Sequence, residues 1–235
     1  MKFKGTNLSK RTMALLTAGM VMLGAGGVTL AVPNITSENY DAQLRQDALE
    51  VQLLENGTHV GSDDDANPGA IYGSIDKVEP GKAYDDVISV KNSGAADAYV
   101  RVIVRKYWAD SESGEKALDL TPSMIMLKPE SGWTEVKSED QPEYYIYYYQ
   151  NILKGGSDPV ALFKTLRIDP KVKTDGMEVS ETKKGNKTII TYTYTYDGVS
   201  FGVEAEVQAV QTHNGKAAIK SVWGVDAASV GINAN

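Results

Sequence analysis

An antiparallel β-sandwich with short helical insertions is the architecture that this 235-residue sequence predicts. Three observations carry the expectation. Several segments alternate apolar and polar residues and are rich in β-branched side chains, the period-two mark of half-buried strands. Turn signals built on glycine, proline and asparagine separate these segments at short intervals. Past residue 32, no long segment keeps an apolar 3.6-residue period, which argues against a helical bundle.

Taken in order, ALEVQLL (48 to 54) alternates and ends on Asn56-Gly57, a hairpin turn signal. GSDDDANPG (61 to 69) is a loop by its composition. After Pro80-Gly81 comes the strand YDDVISVKN, and after Ser93-Gly94 the strand AYVRVIVRKYW, where Val100, Val102 and Val104 face one way and Arg101, Ile103 and Arg105 the other. Pro122, Pro129 and Pro142 interrupt residues 109 to 142, an irregular excursion with short strands. EYYIYYYQ (143 to 150) is a strand, so its tyrosine rings fall on both faces of a sheet. Beyond Gly155-Gly156, residues 160 to 166 read as a helical turn. NKTIITYTYTY and VSFGVEAEVQAV flank Asp197-Gly198 and are expected to pair as a hairpin, with Val199, Phe201, Val203, Ala205, Val207 and Ala209 on one face. His213-Asn214-Gly215 turns the chain into KAAIKSVWG. No internal repeat is visible, and residues 48 to 235 read as one domain.

The charge balance is acidic, 31 Asp and Glu against 24 Lys and Arg, which argues against a nucleic-acid partner. Lys2, Lys4, Lys10 and Arg11 precede an uncharged apolar stretch that closes on Thr29-Leu30-Ala31. This is the pattern of a secretory signal over residues 1 to 31, although the 20 residues from 13 to 32 also suffice for an uncleaved anchor. Either way the remainder is expected outside the cytoplasm. The absence of cysteine suits a bacterial exported protein. The closing AASVGINAN has neither an apolar tail nor a wall-sorting signal. Residues 32 to 47, polar with sparse apolar residues, have the composition of a mobile arm.

Sites of chemistry are few. Gly198-Val-Ser200-Phe-Gly202 matches the serine-hydrolase elbow, but it opens a strand rather than a strand-to-helix turn. His59 and His213, the two histidines, lie far apart in sequence, without metalloprotease spacing. Asp63, Asp65 and Asn67 have the spacing of early calcium ligands, while Pro68 and Ser74 stand where such a loop uses glycine and glutamate. A solvated acidic loop with at most loose calcium is the expectation, and no other cofactor is expected.

Taken together and in order, four regions resemble the TasA and camelysin family of exported bacterial surface and biofilm-matrix proteins: the leader, VEPGKAYDDVISVKNSGAADAYVRVIV, Trp133 with YYIYYYQNILKGGSDPVALFKTLRI, and VEAEVQAVQ closing near Trp223-Gly224. The resemblance implies a jelly-roll-like sandwich, processing by a dedicated (SipW-type) signal peptidase, and head-to-tail assembly of one chain into extracellular fibres, with accessory matrix proteins as further partners. It implies that residues 32 to 47 pair as a donor strand in the next subunit, with Ile35, Tyr40 and Leu44 as anchors. Some relatives are labelled metallopeptidases, but no metal-and-base set is recognisable in this sequence, and no enzyme activity is expected. A camelysin-type surface peptidase and a monomeric surface adhesin are the alternatives. On the fibre reading, Tyr144, Tyr145, Tyr147, Tyr148 and Tyr149, with Tyr192, Tyr194 and Tyr196, are expected to supply exposed aromatic surface.

Overall fold

The structure is a computed structural model that describes residues 49–60, 69–73, 75, 78–184 and 187–234. All of them belong to one compact unit, Gln46–Asn235. The arm, its anchors Ile35, Tyr40 and Leu44, the leader, and the acidic residues Asp63, Asp65 and Asn67 lie outside the described residues.

Two five-stranded antiparallel sheets make the sandwich. The first comprises β1 (Val51–Glu55), β2 (Thr58–His59), β4 (Ala83–Asn92), β6 (Ile125–Leu127) and β9 (Val160–Ile168), in the order β2-β1-β4-β9-β6. The second comprises β3 (Gly69–Ala70), β5 (Ala98–Asp110), β7 (Trp133–Lys137), β8 (Tyr144–Tyr149) and β12 (Val199–Gln211), in the order β3-β12-β5-β8-β7. The alternation in AYVRVIVRKYW does what it predicts: Val100, Val102 and Val104 are buried, packed with Ile88 and Val90 of β4 and Phe163 of β9. The Asn56-Gly57 turn forms as expected, both residues at positive φ (50° and 83°), and closes β1 onto β2. The long excursion supplies a 3₁₀ turn at Pro122–Met124, then β6 to one sheet and β7 to the other.

Two local expectations are corrected. Residues 160 to 166 are not a helical turn but most of β9, between β4 and β6. A short apolar run does not distinguish the two states, and the neighbouring strands decide it. Nor do the segments around Asp197-Gly198 pair with each other. Of those two residues only Gly198 has positive φ (72°), so the primed hairpin turn does not form. The first segment is β11 (Lys187–Thr193) and pairs with β10 (Glu178–Lys184) in a separate two-stranded sheet, while β12 pairs with β5 along all 13 of its residues. The β5 partner offers a long buried ladder, which outweighs one favourable turn.

One element was not expected. KAAIKSVW continues from Gly215 as helix α1 (Gly215–Trp223), which lies on the outer face of the second sheet. Ile219 and Trp223, one turn apart, pack with Tyr99, Tyr148 and Val210, and the 3₁₀ turn Ala227–Val230 with Ile232 completes a second apolar core there. Asn214 (φ 51°) starts the helix and Gly224 (φ 73°) ends it in left-handed conformations. Gly215 sits on the Tyr99 ring, where a Cβ would come within 2.5 Å of Tyr99 Cε2. Gly215→Ala is therefore expected to lift the helix and cost about 1–3 kcal/mol in chemical denaturation, against no change for the exposed Lys216→Ala.

Candidate assembly surface

The five strand tyrosines are not exposed, a correction to the sequence expectation. Tyr145, Tyr147 and Tyr148 are buried, and Tyr144 and Tyr149 half-buried. On the inner face, Tyr147 meets Phe163 edge-on at 4.9 Å and Tyr149 meets Trp133 at 5.1 Å. On the outer face, Tyr148 is roofed by Trp223 (ring centroids 5.9 Å) and Tyr144 lies beneath the Arg105 guanidinium (5.6 Å). Around Tyr147 and Tyr148 both faces of this sheet are therefore covered, one by the opposite sheet and one by α1 and the C-terminal segment, and β8 can carry aromatic rings on each. Tyr196 is half-buried against Trp108, with ring centroids 5.1 Å apart. Tyr192 and Tyr194 are exposed.

The elbow-like motif has structural reasons for its residues. Gly198 turns the chain at positive φ, and Gly202 leaves room for the Tyr107 ring, whose Cζ would stand 2.3 Å from a Cβ there. Ser200 lies within β12 and its hydroxyl donates to the Ala109 carbonyl at 3.4 Å. His59 and His213 are exposed, and among the described residues no three His, Cys, Asp or Glu side chains converge as metal ligands. Among the same residues no helix is long and apolar enough to cross a membrane.

The second sheet has one buried charge, Lys106, which continues the inward row of Val100, Val102 and Val104. Its ammonium donates to the Ile125 carbonyl of the opposite sheet at 2.8 Å and stands 3.6 Å from the centre of the Tyr145 ring. Burial pushes its pKa down to about 8, while Glu135 pulls the other way. Between about 8 and the ordinary 10.5 the unfolded chain binds more protons than the folded one, so stability rises with pH across that window. Lys106→Met is expected to flatten this rise and to leave stability at pH 7 unchanged or about 1 kcal/mol higher, in denaturation curves across pH 7–11.

The feature best placed for assembly is the outer edge of β12. Its partner β3 is two residues long and pairs only with Glu204 and Ala205. Ile71 just beyond β3 donates its N–H to the Val203 carbonyl at 3.0 Å, so Val203 directs its backbone groups away from β5. By the two-residue repeat, and with no bulge in the β12–β5 ladder, Val207, Ala209 and Gln211 direct theirs the same way. Among the described residues no strand covers β12 over residues 206–211. Across the sandwich, β1 lies against β12, and its own outer neighbour β2 pairs only with Leu54 and Glu55. Half-buried Leu49 and Val51 on that side, with Val207 and Ala209 on the β12 side, pack on the main core. The result, among the described residues, is an unpaired row of backbone donors and acceptors beside an apolar margin.

The outward side chains of this strand are fixed. Arg105 bridges Glu143 at 2.9 Å and Glu204 at 3.4 Å, and Arg101 donates to Gln208 at 2.9 Å. Composition hid this edge, because a strand's sequence does not say which neighbour stops short. Compared with models of known families, with curated proteins and with solved structures, the chain matches none.

Proposed function

We propose that this protein is an exported structural subunit that polymerises head to tail into extracellular fibres, residues 32 to 47 of one chain pairing as a strand along residues 206–211 of β12 in the next. The observation that supports the reading is the long β12 with an outer partner of two residues. An unpaired strand edge is a template for a further strand, and a contributed strand satisfies its N–H and C=O groups while its alternate side chains enter the groove beneath. On this reading Ile35, Tyr40 and Leu44 seek the margin lined by Leu49, Val51, Val207 and Ala209. Each subunit gives on one side and receives on the other, so the contact is heterologous and need not close.

The test is to express residues 32 to 235, image them by negative stain, and assay casein cleavage with and without chelator. Filaments that vanish on deletion of residues 32 to 47 are the expected result. Chelator-sensitive cleavage without filaments would establish a surface metallopeptidase, and neither filaments nor cleavage would point to a monomeric adhesin.

A further inference from the structure

The β10–β11 hairpin lies outside both sheets of the sandwich. Among the described residues its strands pair with each other and with no other strand, and residues 178–183 and 188–193 are all exposed. An isolated two-stranded hairpin is marginal in water, and further strands or a packing element are what stabilise one. This one nonetheless exposes large apolar side chains. Val179 lies opposite Tyr192, and Glu181 opposite Ile190, so Val179, Ile190 and Tyr192 share a face. They are 56%, 53% and 53% exposed, and Tyr194 follows at 45%. Together the four offer on the order of 400 Å² of surface, in the size range where exposed patches are often functional.

The two edges of the hairpin differ in charge. The β10 edge carries Glu178, Glu181 and Lys183, the kind of charge that protects natural edges. From Thr188 to Tyr196, β11 and its continuation carry no charge and no proline. A strand that pairs there without stranding a charge must itself be long and uncharged. Among the described edges of this chain, β2, β3 and β6 have two or three residues, the part of β1 beyond β2 has three, β7 carries Glu135 and Lys137, the open parts of β9 and β12 carry Lys164 and Glu206, and β11 has a charge only at its first residue, Lys187. The edge that meets the requirement is β11 itself.

We infer that β11 pairs antiparallel with β11 of a second copy, about a twofold axis, into a four-stranded sheet β10-β11-β11-β10. The contact is isologous and so closes on itself, unlike the head-to-tail contact of the arm. An edge-to-edge pair joins backbone groups and the side chains of β11 alone, and leaves the face that carries Val179 open, so the contact falls well short of the roughly 800 Å² per partner of a standard interface. It is weak between free subunits and multiplies where many copies stand in a row. It would link filaments laterally, yet it needs no arm to form.

The chain has no cysteine, so single-cysteine variants report the contact directly. Thr188→Cys, Ile190→Cys, Thr191→Cys, Tyr192→Cys and Thr193→Cys are oxidised mildly in the chain from residue 32, with Thr182→Cys on β10 and Asp158→Cys on an exposed loop for reference. A twofold antiparallel pair brings one residue of β11 against its own copy, within the 4.4–6.8 Å Cα separation of a disulfide. The expected result is a peak at one β11 position, at least about tenfold faster than Asp158→Cys, with Thr182→Cys at the reference rate. Adding Ile190→Lys to the peak variant, or Tyr192→Lys where the peak is Ile190→Cys, is expected to abolish it. Adding Val207→Pro, which blocks the β12 edge, is expected to lower the rate but keep the maximum at the same β11 position, so that failure of the arm reading is distinguished from failure of this one. A flat profile along β11, a maximum on β10, or a maximum that moves to another position with Val207→Pro would overturn homotypic pairing, whatever else the hairpin then captures.

Discussion

Replacing Val207 by proline is expected to leave the sandwich folded and to abolish filaments. The backbone N–H of Val207 shares the outward direction of Val203, whose carbonyl accepts from Ile71 on the side away from β5. Proline at such a position removes no ladder bond and is tolerated as edge prolines are, while it denies a donor to any strand that arrives. Glu206→Pro, one residue earlier, removes an N–H that faces Lys-bearing β5 through its partner Ile103, and is expected to cost about 3 kcal/mol or more in folding stability. The pair of variants separates loss of assembly from loss of fold. Thermal melts are expected to be near wild type for Val207→Pro and strongly lowered for Glu206→Pro, with negative stain empty of filaments for the first. Filaments of normal length from Val207→Pro would show that the β12 edge is not the receiving site.

A large loss of stability is expected from truncation at Trp223. Its ring roofs Tyr148, carries the Arg101 guanidinium 5.0 Å from its centre, and closes a core with Tyr99, Val210 and Ile219. Its indole N–H is buried without a hydrogen-bond partner, so the packing and the cation contact are what it contributes. Trp223→Ala is expected to cost about 3–5 kcal/mol in urea denaturation, by loss of transferred surface and by the cavity left behind. Because the site is on the outer face of the second sheet, the main core stays intact, and the variant is expected to expose Tyr99 and Tyr148 to solvent. Tyrosine fluorescence quenching by acrylamide would then rise, while β-sheet circular dichroism below the transition would not change. An unchanged midpoint would mean that α1 contributes little to holding the second sheet.

The strands that read clearly in the sequence are those whose two faces differ. β5 has valines inward and arginines outward, and β4 and β12 alternate in the same way, so one face meets a core and the other meets polar surroundings. β8 was legible as a strand but not as a covered one. Burial of Tyr148 depends on a helix that begins 67 residues later, and nothing within EYYIYYYQ reports it. That helix was itself hidden, since nine residues with Ile219 and Trp223 as the buried anchors make a short and weak periodic signal. β9 and the β10–β11 pairing depart from the local pattern for a related reason: local preference ranks possible partners, and long-range ladders choose among them. Of the assembly surface, the uncharged run in β11 was visible in the sequence, whereas the shortness of β3 beside β12 was not.

What the sequence determined alone is the period-two chemistry of a two-sheet β protein and the positions where its chain turns, since alternation and positive-φ turn residues act over a few bonds. Which strand lies beside which, which face a roof covers, and which edge is left without a partner were decided only by tertiary structure. Those outcomes depend on competition among distant segments for the same backbone groups and the same apolar surface, and no local stretch encodes the winner.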